Sequence, residues 1–376
     1  MKKSATAILS LLSVVAVVNS TACGGGSMNS LNNNLNEGPV GASVSGTIAV
    51  GITPVSVVVD STTANKIYVV DFGTRPALQG QSCSPSGADI EEFDGGSLKP
   101  TASAGFGSGS NTQTPFAAAL DTSNHTLYVL ANTYWTGFGH ATTCGLFLPR
   151  MDSFDTTSLT EGSSMLGLGA GIDVNPTNGN IYIAGWEGKV AVFTATGGTS
   201  PTTLMAAGTG PKGIAVNVTT NKIYVANTVS GDVSVIDGAT NSVMATIKDP
   251  LAEVPVAVGI NPVLNRIYIV NSGSNNLTVV DGATDTVTIT IPVGTSPSGV
   301  AVDPQSQFIY VANAGDAKTG DPGSVTVING ETNATTTLTD PSAKNPAAIA
   351  ANPTTNKIYV ANSGSNNVTV IDGAHN

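Results

Sequence analysis

From residue 43 onward the chain is a succession of short apolar runs, each broken by Gly, Asn, Asp, Thr or Ser. In residues 221–227, NKIYVAN, the side chains Ile223 and Val225 alternate with Tyr224 and Ala226. This period of two, with packing residues on both sides, predicts a strand covered on both faces. Close variants of Ile-Tyr-Val are centred on Tyr68, Tyr128, Tyr182, Tyr224, Tyr268, Tyr310 and Tyr359. Around Tyr224 the order is GIAVN, KIYVAN, DVSVID and VMATIK, with turn residues at 219–221, 228–231 and 237–241. Four β-rich runs joined by Asn, Gly, Thr and Asp predict a four-stranded antiparallel meander. The same order restarts at Pro255, Pro297 and Pro346, and the steps from Tyr182 to Tyr310 are 42, 44 and 42 residues. Four strands at that period predict the blades of a propeller, and seven returns predict seven blades in an all-β chain.

The two ends of the chain extend this prediction. The final VIDGAHN stops at the turn where VVDGATD goes on to a fourth strand, so the seventh unit lacks one. Residues 43–54, SVSGTIAVGITP, align without gaps on TVTITIPVGTSP at 286–297. The N-terminal strand is therefore expected to complete the last blade and close the ring, removing the edges of an open stack. The first run of each unit, such as GIAVN, GVAVD or AAIAAN, is poor in large side chains, as crowding at a propeller axis requires.

NKIYVAN followed by NVTVIDG and a fourth run ending in Val-Gly resembles the YVTN-type β-propeller repeat family of bacterial and archaeal surface and periplasmic proteins. The resemblance implies a seven-bladed propeller and no particular activity. It covers residues 43–376 and is most specific after Pro211.

Functional candidates are sought where the repeat is broken, because the scaffold does not require those departures. The Tyr68–Tyr128 and Tyr128–Tyr182 steps are stretched to 60 and 54 residues, and Tyr310–Tyr359 to 49. The extra residues, 72–88, 132–149 and 314–323, fall between second and third strands, on the face conventionally called the top. Both tryptophans, Trp135 and Trp186, belong to that face, with Phe72, Tyr134, Phe138 and Phe147 in the inserted loops. Two accounts of these rings are open: a platform that stacks on sugars or grips a peptide, or a small core beneath long loops. Asn227, Asn271, Asn313 and Asn362 end their second strands on the top, where an Asn ordinarily satisfies its own turn. Asp316 and Asp321 lie in a loop without an EF-hand pattern and read as a solvated turn. Asp60, Asp121, Asp173 and Asp303 read as turn residues at the far ends of inner strands, with His125 on the face opposite the top. There is no CxxCH, GxSxG or HExxH, so no catalytic residue, metal site or cofactor is expected.

Composition and charge narrow the partners. A balance of 14 basic against 25 acidic residues gives −11, with no basic cluster beyond Lys2 and Lys3, which argues against nucleic acid. Residues 1–22 read as an export signal: Lys2 and Lys3, an apolar run over 5–18, then Ser20, Thr21 and Ala22 before Cys23. This resembles a bacterial lipoprotein signal with Cys23 as the lipidated residue, although Ser20 stands where that motif usually has Leu and ordinary cleavage remains open. Residues 23–42 are Gly, Ser and Asn rich and read as a flexible tether, leaving 43–376 as one propeller domain. Cys83 and Cys144 lie in adjacent insertions, so an exported protein is expected to bridge them, two free thiols being the alternative. The expectation is a monomeric, lipid-anchored binding or scaffold propeller of the bacterial envelope that takes a glycan, peptide or protein on the top of blades 1 to 3. The alternative is a lactonase- or lyase-like enzyme with its site at the central channel.

Overall fold

The computed structural model describes residues 41–376, apart from 63, 74–87, 107–110, 136–144, 167–168, 186–187, 195–199 and 375–376. The expected signal peptide, tether and lipidated Cys23 lie outside the described residues. The strands form seven four-stranded sheets, each antiparallel, and no helix occurs among the described residues. Blade 4 is representative: Pro211–Asn217, Lys222–Asn227, Asp232–Asp237 and Ser242–Ile247 pair in that order. Inner strands of successive blades touch one another all the way round, and Pro346–Asn352 of blade 7 returns to Pro54–Asp60 of blade 1. The result is a seven-bladed β-propeller.

Closure follows the expectation from the chain ends. Ser43–Ala49 pairs antiparallel with Asn367–Asp372 as the outer strand of blade 7, in register from Ser43 opposite Asp372 to Ala49 opposite Asn367. The ring is thus sealed by hydrogen bonds between the two ends of the domain.

Seven apolar clusters hold the blades together, one at each joint. At the joint of blades 4 and 5, Tyr224, Val233 and Val235 pack on Ile267, Ile269 and Val280. Ile223 and Val225, on the other side of the same strand, pack back toward Tyr182 and Val192 of blade 3. Six of the seven tyrosines are among the largest fully buried side chains, and Tyr128 is buried as well. The hydroxyls of Tyr68, Tyr224, Tyr310 and Tyr359 bond to the next blade: Tyr224 donates to Asp285 Oδ1 at 3.0 Å, and Tyr310 accepts from the Ala374 amide at 2.7 Å. The residue two places earlier reinforces this clasp, since Lys222 donates to the Gly282 carbonyl at 3.0 Å and to Asp285 Oδ2 at 2.8 Å. Arg266 reaches the Gly330 carbonyl of blade 6 in the same way.

A second set of ties runs round the face opposite the top. Asn175, Asn217 and Asn352 each donate an amide proton to an Asn of the following blade, Asn221, Asn265 and Asn65, at 2.8, 2.9 and 2.8 Å. Those three acceptors have φ of 54°, 49° and 44°, a left-handed conformation that Asn tolerates better than most residues. The Asp-Gly pairs have their cause here: a Cβ on Gly238 would lie 2.4 Å from Asn221 Oδ1, so only glycine fits beside the turned Asn.

Replacing Tyr224 by Ala is expected to cost about 3–5 kcal/mol in urea unfolding through the emptied joint. Tyr224→Phe, which loses the hydroxyl alone while Lys222 keeps Asp285 paired, is expected to cost about 1 kcal/mol.

Candidate functional site

Blades 4 to 7 carry the same small device on the top face. The second strand ends in a fully buried Asn whose Nδ2 donates to a hydroxyl and to the first residue of the third strand. Asn271 Nδ2 lies 2.9 Å from both Asn276 Oδ1 and Thr278 Oγ1, and Asn362 Nδ2 lies 2.9 Å from Asn367 Oδ1 and 2.8 Å from Thr369 Oγ1. Asn227 serves Asp232 and Ser234 likewise, and Asn313 serves Ser324 and Thr326. Two of these groups continue into an aspartate of the preceding crossover: Thr278 donates to Asp249 and Thr369 to Asp340, both at 2.6 Å. With their donors committed to the third strand, these asparagines act as structural ties. They stitch second strand to third, a longer reach than the self-satisfied turn the sequence suggests.

Blades 1 and 2 depart from this device. Where Asn227 faces Asp232 across the ladder, blade 1 pairs Asp71 with Asp89, and where Ser234 stands it has Glu91. All three positions are therefore carboxylates. Blade 2 has Ala131 opposite Arg150, and Asp152 at the third position. Arg150 meets Asp152 Oδ1 at 3.0 Å, an ion pair whose carboxylate is fully buried. Nearby on the inner strand of the same blade, Gln113 and Thr114 are buried.

Blade 2 is also longer. Its first three strands, Asn111–Asp121, Thr126–Trp135 and Gly145–Asp155, run 11, 10 and 11 residues against seven, six and six in blade 4. The ladder continues past Pro115 and Ala131 to pair Asn111 with Trp135 and Trp135 with Gly145. Four additional residues at about 3.3 Å each raise this sheet roughly 13 Å above its neighbours' strand ends. The sequence reading treats all of 132–149 as inserted loop; instead its two ends extend the sheet, in keeping with the strand preference of Tyr134, Trp135, Leu146 and Phe147.

The sequence candidates are placed as follows. Tyr134 and Trp135 occupy the end of the raised second strand, with Leu146 and Gly145 opposite them. Phe72 is half-buried directly after Asp71, its amide donating to the Thr53 carbonyl at 2.9 Å. Phe138, Trp186, Cys83 and Cys144 lie outside the described residues. Asp316 and Asp321 form an isolated bridge and cap their own loop, accepting from the Lys318 and Gly323 amides at 2.8 and 3.0 Å. His125 sits in the turn between the first two strands of blade 2 with φ of 51°. Among the described residues no three His, Cys, Asp or Glu side chains are placed to hold a metal ion.

One inner-strand expectation is corrected. Asp60 and Asp121 end their strands, Asp303 directly follows its own, and all three accept from amides two residues on. Asp173 instead lies in the middle of Gly171–Asn175, where blade 4 has Ala215. Its carboxylate accepts from the Val216 amide of blade 4 and from its own neighbour Val174, each at 2.8 Å. Burial pushes its pKa up to about 6 despite those two bonds. Its role is to bridge the inner strands of blades 3 and 4, which explains a carboxylate at a position otherwise filled by small or apolar residues.

Asp71, Asp89, Glu91, Arg150, Asp152 and Asp173 were not singled out as site residues from the sequence. A column-by-column comparison of the repeats would have found all of them but Asp89, which matches the Asp232 column: YVVD against YVAN, DIEEFD and RMDSFD against DVSVID, and GIDVN against GIAVN.

No family model and no curated protein matches the chain. Among solved structures it is similar to a chain in the crystal structure of the mitotic checkpoint complex, with a TM-score of 0.64 and 13% identity over 96% of this chain and 99% of that one. At that identity the likeness concerns the fold alone. Since 1473 chains of solved structures match, the architecture selects no function.

Asn271→Ala is expected to destabilise the protein by about 1–3 kcal/mol in chemical denaturation, because Asn276 and Thr278 lose a buried donor.

Proposed function

We propose that the protein is a non-enzymatic, envelope-anchored binding or scaffold propeller of YVTN type that takes a glycan, peptide or protein on the top of blades 1 to 3. The observation that carries this reading is the raised sheet of blade 2, whose strand pairing resumes past a register shift after Asn132 and places Tyr134 and Trp135 at the end of its second strand. A rigid extension of the scaffold positions recognition groups better than a free loop does. The irregular chemistry supports the same place, since blades 4 to 7 repeat one uniform polar device and blades 1 and 2 replace it with charged groups. Anchoring rests on the signal-like residues 1–22 and on Cys23. The closing strand enters at Ser43 beside Asp372, on the face opposite the top. That direction of entry suits a protein whose top faces outward from its attachment.

The enzyme reading needs several acid, base or metal-binding groups converging on the inner strands. Among the described residues, Asp173 is the one carboxylate within those strands short of their final residues, and its oxygens are engaged by backbone amides.

Immobilised protein presented with a bacterial envelope extract is expected to retain a ligand that the Trp135→Ala, Trp186→Ala double variant loses by about tenfold or more. A Val229→Ala variant on the top of blade 4, where Val229 is 74% exposed, serves as the control and is expected to retain it. Equal capture by the double variant and the wild type contradicts the proposal.

A further inference from the structure

The top slot of blade 1 differs from the slots of blades 4 to 7 in one chemical respect: among the described residues it contains no donor side chain. In blade 4 the amide of Asn227 supplies protons to Asp232 and Ser234. In blade 1 the corresponding side chains are Asp71, Asp89 and Glu91, acceptors all. Asp71 is fully buried, and neither of its oxygens nor Asp89 Oδ1 has a hydrogen-bond partner. The place where a Cβ on Gly51 would stand is 2.8 Å from Asp71 Oδ2 and 3.0 Å from Asp89 Oδ1, so both oxygens crowd beneath the same backbone segment. The Gly51 amide donates to Glu91 Oε2 at 3.3 Å. The titratable groups that face Asp71 are Asp89 and Glu91 from the third strand; the Gly51 segment brings none, and no Lys, Arg or His among the described residues pairs with the three. Two ionised carboxylates in contact inside a protein repel strongly, so a positive charge must stand between them.

We propose that Asp71 and Asp89 share a proton at neutral pH, and that losing it loosens the junction through which the N-terminal strand closes the ring. Protonated Asp71 donates its O–H to the Asp89 carboxylate, which takes the part played by the Asn amide elsewhere. Burial, with the charges of Glu91 and Asp89, pushes the Asp71 pKa up to about 8, and burial raises Asp89 as well. Above that pH hydroxide removes the proton as water and leaves three negative charges in the slot. The segment lying over them is the junction itself. Val50 and Thr53 are held to Asn366 of blade 7, at 3.4 Å to its carbonyl and 2.9 Å to its side chain. Ile52 and Thr53 accept from the Gly73 and Phe72 amides of blade 1 at 2.8 and 2.9 Å. Ionisation beneath Gly51 therefore acts at the one joint where the chain's two ends meet. Because the folded-state pKa lies above the ordinary value of 3.8, the associated stability is complete below about pH 4 and is lost as pH rises through about 8.

The test compares wild type with Asp71→Asn, which installs the residue of blades 4 to 7, by thermal unfolding and amide exchange from about pH 5 to about pH 9. The wild-type midpoint is expected to fall by roughly 3 °C or more between about pH 6.5 and pH 9, with faster exchange across residues 44–53 beyond the intrinsic base-catalysed rise. In Asp71→Asn both changes should be absent. Parallel pH profiles for the two proteins, or loosening spread evenly round the ring, would overturn the proposal. If Asp71→Asn fails to fold, the infrared stretch of a protonated carboxyl in wild type decides: present at about pH 7 and gone by about pH 9 supports the shared proton, and its absence at pH 7 refutes it. Calcium that raises the wild-type midpoint at about pH 9 but not that of Asp71→Asn would also overturn it, by assigning the slot to a metal ion.

Discussion

Each blade of this protein is apolar on both faces, and that single condition governs the architecture. A sheet with Ile223 and Val225 on one side and Tyr224 on the other cannot leave either side in water, so every blade requires two neighbours. A linear stack would leave one uncovered face at each end. Only a ring satisfies every blade, and closing it requires a joint between blades 7 and 1 of the same kind as the other six. Tyr359, Val368 and Val370 packed on Val57, Ile67 and Phe93 provide it. The closing strand Ser43–Ala49 then supplies the hydrogen bonds that the seventh sheet lacks on its own.

With the scaffold fixed in this way, variation is admitted only where it does not disturb the joints. The face opposite the top is held by interblade Asn pairs and by the Lys222, Arg266 and tyrosine clasps, which leave little latitude. The top face is freer, and the chain uses that freedom unevenly. Blades 4 to 7 repeat one amide-centred tie, blade 1 replaces it with three carboxylates, and blade 2 replaces it with an ion pair and lengthens its strands. Uniform positions serve the ring; the exceptions cluster on blades 1 to 3, the first two of which also carry insertions.

The fold was legible because its determinants are local and repeated. Alternation in KIYVAN, turn residues between runs, and the gapless match of residues 43–54 to 286–297 specify strands, blades and closure with no knowledge of contacts. The site was less legible, for two reasons. Attention to inserted residues hides substitutions within the repeat: Asp71 and Glu91 change no spacing, and their meaning appears only when the register puts them beside Asp89. The mid-strand position of Asp173 was misread as a turn because Asp commonly occupies turns, whereas here the Val216 amide of the adjoining blade receives it. The raised sheet of blade 2 was read as loop because a strand running on past its repeat length is indistinguishable, without pairing, from an apolar loop.

The central claim is that the exceptional top of blades 1 to 3, and not the regular top of blades 4 to 7, meets the ligand. Amide exchange measured on the protein alone and on its complex with a captured envelope ligand tests this most directly. Protection confined to the second and third strands of blades 1 to 3 at their top ends is the predicted result. Protection centred on the tops of blades 4 to 7, or on the opposite face, would contradict it.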